Sequence, residues 1–170
     1  MMFFLVKSGQ AVMSPREVCA IESASHHNPS MTILVVFVLP VTQLRLEKNL
    51  ALVEVLRCWP NVRLATVDAK AAMSLVTKIP SGRSHPAAAH TSDVLRLLLV
   101  LKFGGVYADF DLVMLRSLQS RVHSDNFMVG EVDDDFSSDF FGFQRNHTLA
   151  KRCGNFFILT LNIFFIQNRV

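Results

Sequence analysis

Asp109 and Asp111 stand two residues apart, and a carboxylate pair so spaced is suited to one hard divalent cation. If residues 106–113 form a strand, side chains at i and i+2 point to one face with their Cα atoms roughly 7 Å apart. A cation held by two carboxylates keeps positions open for phosphate oxygens, so the pair points to a metal–diphosphate site. A bare D-x-D is most often two solvated aspartates ending a strand, so its surroundings must decide. Upstream, Asp93 and Arg96 lie three residues apart, on one face of a helix if the segment is helical. As a surface ion pair they would contribute little. On a helix apolar over the rest of its surface, they read instead as polar groups kept for a ligand.

The elements that must carry these four residues are legible nearby. Thr91 or Ser92 is a suitable N-cap, which puts Asp93 in the first turn, where a carboxylate complements the helix dipole. Val94, Leu95, Leu97, Leu98, Leu99, Val100 and Leu101 make the helix apolar almost all round and predict burial. Gly104 suits a left-handed C-cap, and Gly105 adds a second flexible point. A short apolar strand then delivers Asp109 and Asp111 at its carboxyl end, where open α/β sheets bind ligands.

Farther upstream, strands and helices alternate. Phe3–Val6 reads as a strand, and Ser14-Pro15-Arg16-Glu17 as a helix start with a capping box, the helix running to about Ser25. Thr32–Leu39 has the continuous β-branched character of a buried parallel strand. Gln43–Arg57 is an amphipathic helix, Val62–Val67 a strand, Ala69–Thr77 a short helix, and Ile79–His90 a linker. The pattern predicts an α/β fold with a doubly wound, mostly parallel sheet and flanking helices. Asp139–Phe143 is a further strand, and the acidic run Asp133 to Asp135 reads as a solvated loop.

Composition narrows the function classes. The chain has 170 residues, 51% hydrophobic, with 17 basic and 14 acidic side chains for a net charge of +3. One domain is expected. The basic residues are scattered, which argues against nucleic acid as a partner. Cys19, Cys58 and Cys153 form no C-x-x-C, and Cys19 and Cys58 read as buried thiols. None of His26, His27, His85 and His90 has a sequence-adjacent Ser or Cys that makes a nucleophile–base pair persuasive. The apolar tail Phe156–Ile166 falls short of the roughly 20 residues a spanning helix needs, and Met1–Val6 is too short for a signal core. Asn146-His147-Thr148 is a glycosylation sequon, meaningful in a secretory lumen.

Taken together, Ser92, Asp93, Arg96, Lys102, Phe103, Gly104, Gly105, Tyr107, Asp109 and Asp111 compose S-D-x-x-R followed by K-F-G-G-x-Y-x-D-x-D. This composite resembles the DxD-containing sugar-binding region of the alpha-1,4-galactosyltransferase and alpha-1,4-N-acetylglucosaminyltransferase family. The likeness is strong over residues 91–118 and weaker from residue 3 to about 153, where Pro15–Pro29 is similar to the family's first helix and Cys58–Asp68 to a later strand. It implies a GT-A-like fold, a UDP-sugar donor, manganese (Mn2+) and retention of anomeric configuration. Asp111 would be the principal metal carboxylate, and Asp109 would face the metal or the donor's ribose and sugar. Asp93 and Arg96 would hold hydroxyls of the transferred hexose, galactose or N-acetylglucosamine. Tyr107 conforms to the motif as a donor-binding residue, with strand packing as its other role.

The acceptor would be a glycolipid or glycoprotein glycan, the location the Golgi, with membrane association in full-length relatives. Lys7 stands near an acid of the family pattern, and the family's H-Q-G-P-like segment has no counterpart. Residues 1–155 are therefore expected to form the donor-binding half of the domain, incomplete at its C-terminal part, with 156–170 a tail foreign to the fold. No catalytic nucleophile or base is assigned. The alternatives are an inactive nucleotide-sugar-binding protein and a haloacid-dehalogenase-like phosphatase, whose D-x-D-x-[T/V] opening Asp109 to Val113 also matches.

Overall fold

The computed structural model describes residues 1–6, 10–38, 46–68, 88–119, 126–130, 136–148 and 163–166, backbone only at 88–91 and 163–166. Its centre is a sheet of seven strands in the order β5-β6-β4-β1-β2-β3-β7. The strands are β1 (Met2–Val6), β2 (Ile33–Phe37), β3 (Val62–Val67), β4 (Gly105–Ala108), β5 (Phe127–Gly130), β6 (Phe136–Phe143) and β7 (Ile163–Ile166). The four inner strands β4, β1, β2 and β3 pair in parallel. Antiparallel pairs finish both margins, β4–β6 and β6–β5 on one side and β3–β7 on the other.

Both faces of the parallel strands are buried, as their unbroken apolar sequences predict. On one face Phe4, Val6, Ile33, Val35 and Leu64 meet α1 (Pro15–His27) and α2 (Leu50–Cys58), which contribute Val18, Ile21, Leu52 and Val55. On the other face Phe3, Leu5, Leu34, Val36 and Tyr107 meet α3 (Ala88–Phe103) through Leu95, Leu98 and Leu99. Helices on both faces make the sheet doubly wound. The strands run outward from β1 through β2 to β3, and the chain then returns to lay β4 on the opposite side of β1. The crevice at that reversal, outside the carboxyl ends of β1 and β4, is where such sheets take ligands.

Local signals set several element ends as read. Ser14 caps α1 with the full capping box, its hydroxyl accepting from the Glu17 N–H while the Glu17 carboxylate accepts from the Ser14 N–H. α1 runs two residues past Ser25, to His27, and Asn28 closes it, donating its backbone N–H and its side-chain amide to the Ala24 carbonyl. β3 spans Val62–Val67 as predicted.

Three local readings change. The Gln43–Arg57 helix begins as α at Leu50, after a 3-10 turn at Leu46–Lys48. Asn49 at its start spends its amide on the neighbouring loop, accepting from Met13 N–H at 2.8 Å and donating to Ala11 C=O at 2.7 Å. α3 begins at Ala88 rather than after Thr91 or Ser92, because the alanines that follow Pro86 are strong helix formers. Asp93 thus lies in its second turn. Cys19 and Cys58 are exposed free thiols, not buried ones, since α1 and α2 turn Val18, Ile21 and Val55 to the sheet and leave the cysteines outside.

The predicted helix at 69–77, the acidic run at 133–135, His85 and Cys153 lie outside the described residues. Residues 163–166 of the apolar tail pair with Leu64–Val67 along the outer edge of β3.

Candidate functional site

α3 ends where the two glycines let it. Gly104 adopts φ +70° and donates to the Val100 carbonyl, so it takes the left-handed conformation that ends a helix. A Cβ there would stand 2.7 Å from the Arg145 nitrogen. Gly105 follows at φ +117°, with the Met1 carbonyl occupying the space a side chain would need. The chain therefore reverses within two residues. Helix α3 lies over the sheet beside the strand that follows it, with Arg96 facing the end of β4.

The D-x-D pair does not sit on a strand. β4 stops at Ala108; Asp109 to Leu112 form a turn closed by Leu112 N–H on the Asp109 carbonyl at 3.2 Å. The physical cause is Phe110. Its ring is buried and stacks on Phe4 with centroids 5.3 Å apart, which draws the backbone down toward the sheet between the two acids. The Asp109 carboxylate caps the same turn by accepting from Phe110 N–H at 3.2 Å. The strand reading of residues 106–113, and with it the same-face argument, is replaced by a turn that carries both carboxylates. Asp109 is half-buried and Asp111 exposed.

The turn is clamped from below by α1. Met114 is buried in the core and donates its N–H to Ser23 Oγ at 3.0 Å. The buried Asn28 side chain accepts from Leu118 N–H at 2.7 Å. Neither Ser23 nor Asn28 carried a functional signal in the sequence; each is about 90 residues from the backbone it holds.

Above the turn lies Arg96, with its side chain 8% exposed. Its guanidinium donates to Asp93 Oδ1 at 3.0 Å, to Asp139 Oδ1 at 2.9 Å and to the Ser138 carbonyl at 2.9 Å. Asp109 Oδ2 is 3.8 Å away. The guanidinium carbon also stands 4.8 Å from the centre of the Tyr107 ring, a cation–π contact, and the Tyr107 hydroxyl points to Asp109 Oδ1 at 3.5 Å. Arg96 Nε is buried with no hydrogen-bond partner among the described residues. Asp93, Arg96, Tyr107 and Asp109 are thus one contiguous cluster, and Asp111 stands on the same turn as Asp109.

Asp139 is the member that sequence reading missed. It opens no motif and appeared only as the first residue of a strand. Yet its side chain pairs with Arg96, and its carbonyl accepts Asp109 N–H at 2.8 Å. The antiparallel register Ala108↔Phe140 brings it there. No local signal could have found it, because it lies 43 residues from Arg96.

Burial raises the pKa of the Asp109 carboxyl above the ordinary carboxylate value; Arg96 and the Phe110 N–H oppose the rise, and Asp139 and Asp111 add to it. Burial likewise pushes the Tyr107 phenol well up, with Arg96 opposing and Asp109 adding. For Arg96, burial works against the charge, but Tyr107, Asp139, Asp109 and Asp93 outweigh it, and the guanidinium stays charged. Among the described residues no group of three or more His, Cys, Asp or Glu side chains is placed to hold a metal ion. Any cation at this turn would rest on Asp109 and Asp111, with the remaining positions open.

Residues 14–128 match the family described as glycosyltransferase sugar-binding region containing DXD motif. The chain is 27% identical over 170 residues to lactosylceramide 4-alpha-galactosyltransferase of Rattus norvegicus, covering 94% of this chain and 45% of that protein. Against the Homo sapiens protein of the same name it is 28% identical over 166 residues, covering 92% and 45%. The chain thus spans less than half the length of these relatives. Among solved structures, PaToxG glycosyltransferase superposes with a TM-score of 0.62 at 15% identity, over 88% of this chain and 56% of that one. This likeness bears out the GT-A-like α/β fold. With the family model matched from α1 through the carboxylate turn into β5, this chain belongs to the family of glycosyltransferase sugar-binding regions that contain a DXD motif.

Proposed function

We propose that residues 1–155 act as the donor-binding half of a metal-dependent, retaining hexosyltransferase, which moves galactose or N-acetylglucosamine from a UDP-sugar to a glycan acceptor. The observation that carries this reading is the buried Arg96 joined to Asp93 and Asp139 and set 3.8 Å from Asp109, directly beside the turn that bears Asp111. A site kept only for stability would not gather so many acids around one cation at the ligand-binding edge of a sheet.

The donor set fits a hard divalent cation. Asp109 and Asp111 offer oxygen ligands, and a cation's charge would offset the burial cost and like-charge repulsion that raise the Asp109 pKa. Asp111, exposed on the turn, would be the principal ligand, with Asp109 shared between the metal and the donor's ribose and sugar. When bound, manganese or a similar ion would neutralise the diphosphate and stabilise departing UDP. Asp93, half exposed, would accept hydroxyls of the hexose. Arg96 turns its two terminal nitrogens to Asp93, Ser138 and Asp139, so their part is to hold Asp93 and to balance Asp109. Tyr107 is buried; it would support Asp109 from beneath rather than touch the sugar. Orientation of the anomeric carbon is what such a rigid cluster contributes to rate.

The acceptor class we infer is a glycolipid or glycoprotein glycan, the glycolipid in line with the lactosylceramide in the relatives' name, and the location is the Golgi membrane system. Among the described residues no helix is long and apolar enough to cross a membrane. Calorimetry with UDP and manganese tests the donor site. Asp111→Ala is expected to abolish metal-dependent binding while the fold persists, because Asp111 is exposed on the turn. Equal metal-dependent affinity in both proteins would remove the metal role. Transfer from UDP-galactose and UDP-N-acetylglucosamine to lactosylceramide tests the reaction, and binding without transfer would reduce the function to nucleotide-sugar binding.

A further inference from the structure

Asn146-His147-Thr148 is the chain's single N-x-[S/T] sequence in which x is not proline; Asn28-Pro29-Ser30 carries the blocking proline, and Asn28 is fully buried. The fold accounts for half of this sequon. Gln144 to His147 form a β-turn closed by His147 N–H on the Gln144 carbonyl at 3.1 Å, with Asn146 in its third position at φ +61°. That position favours glycine or asparagine, so the turn alone gives a reason for an asparagine. Asn146 also donates its backbone N–H to the Leu101 carbonyl at 3.0 Å, docking the turn on the end of α3. None of this calls for a hydroxyl two residues on. Thr148 is exposed, as is the Asn146 side chain, and neither is used by the carboxylate cluster.

We propose that Asn146 is an N-glycan acceptor. The proposal rests on the secretory location inferred above. Chemically, Asn146 Nδ2 forms a C–N bond to the anomeric carbon of a polyisoprenyl-diphosphate-linked oligosaccharide. The anomeric C–O bond breaks, the diphosphate leaves with the electron pair, and the amide loses one proton. The glycan stands clear of the donor site. β6 runs antiparallel to β4, pairing Phe143 with Gly105 and Phe140 with Ala108, so Asn146 and the Asp109 turn occupy opposite ends of the same strand pair. Beside it opens a cleft of about 410 Å3 lined by Phe103, Phe127, Phe143, Gln144 and Arg145, whose rim the glycan would occupy.

The test places the full 170-residue chain behind a cleavable signal peptide in a eukaryotic secretory host, with mass and gel mobility read before and after endoglycosidase. The expected result is one N-linked glycan on the wild type and on Thr148→Ser, and none on Thr148→Ala or Asn146→Gly. Glycine keeps the left-handed turn while removing the acceptor nitrogen, and Thr148→Ala leaves the turn residue itself untouched. A wild-type chain whose signal has been cleaved yet carries no glycan overturns the site, as does a glycan that survives Asn146→Gly. The location of the tagged chain without the added signal is read separately, so failure of the Golgi reading is distinguishable from failure of the acceptor.

Discussion

At Arg96 a single guanidinium faces Asp93 and Asp139 at hydrogen-bond distance and Asp109 at 3.8 Å, while its Nε is buried without a partner. Its removal should therefore cost more than the loss of one pair, because several carboxylates would be left beside a buried ring. Arg96→Ala is expected to destabilise the fold by about 3 kcal/mol, the lower end for breaking a buried charge pair, since the acids retain some water. Asp93→Ala removes only a half-exposed partner and should cost under about 1 kcal/mol. If Asp93 meets the hexose, that variant still loses roughly 1–3 kcal/mol of UDP-sugar affinity while UDP alone binds as before. Thermal unfolding and calorimetry separate the two effects; parallel loss of UDP and UDP-sugar affinity in Asp93→Ala would contradict the sugar role.

Asp109 supplies a pH test. Its folded-state pKa is raised, so between the ordinary aspartate value of about 4 and the folded value the native state binds more protons than the unfolded state. The metal-free protein should thus lose this group's contribution as pH rises through that window. Asp109→Asn removes the penalty, so the variant's Tm advantage over wild type should grow from pH 4 to 7 without metal. A difference independent of pH would show that Asp109 is not held in a charge-averse place.

At the scale of elements, what decides the site is who holds the carboxylate turn. α1 does so through Ser23 and Asn28, and β6 through the Asp139 carbonyl. Asn28→Ala would leave the Leu118 N–H without its acceptor and the end of α1 with only the backbone N–H as donor. The expected cost is about 1–3 kcal/mol in stability, together with weaker metal-dependent UDP binding although Asn28 touches no ligand. Unchanged nucleotide affinity in a folded Asn28→Ala protein would mean that the turn holds its shape without α1.

These ties also explain how far the sequence could be read. The Ser14 capping box, the Gly104 C-cap and the β3 span are decided by residues within one turn or strand of each other. At these three places the local signal and the tertiary context agree. The Asp109-Phe110-Asp111 segment misled because an apolar residue between two acids reads as strand alternation, whereas its ring goes to Phe4 across the sheet. Asp139 and Asn28 act over 43 to 90 residues, through register and helix docking that no local pattern encodes.

At the scale of the molecule, the sheet has a parallel core whose outer margins are both antiparallel, and the margin at β3 is closed by residues 163–166. β3 is Val-Arg-Leu-Ala-Thr-Val, nearly all buried, and an open edge on so apolar a strand invites pairing with another chain. The cluster proposed to bind the donor, by contrast, gathers α3, the turn after β4 and β6, with β1 and β2 between it and that edge. Deleting residues 156–170 should then separate two properties. Solubility should fall and concentration-dependent association should appear in light scattering, as the edge of β3 is bared. Manganese-dependent UDP affinity, measured on the monomer fraction, should stay within about twofold of the full chain, a change of under about 0.5 kcal/mol. Were the shortened chain equally soluble and monomeric, the 163–166 strand would be dispensable to the fold and the domain would end near residue 155. Were nucleotide affinity lost along with solubility, the seven strands would be behaving as one cooperative unit, and donor binding could not be assigned to the β4–β6 side alone.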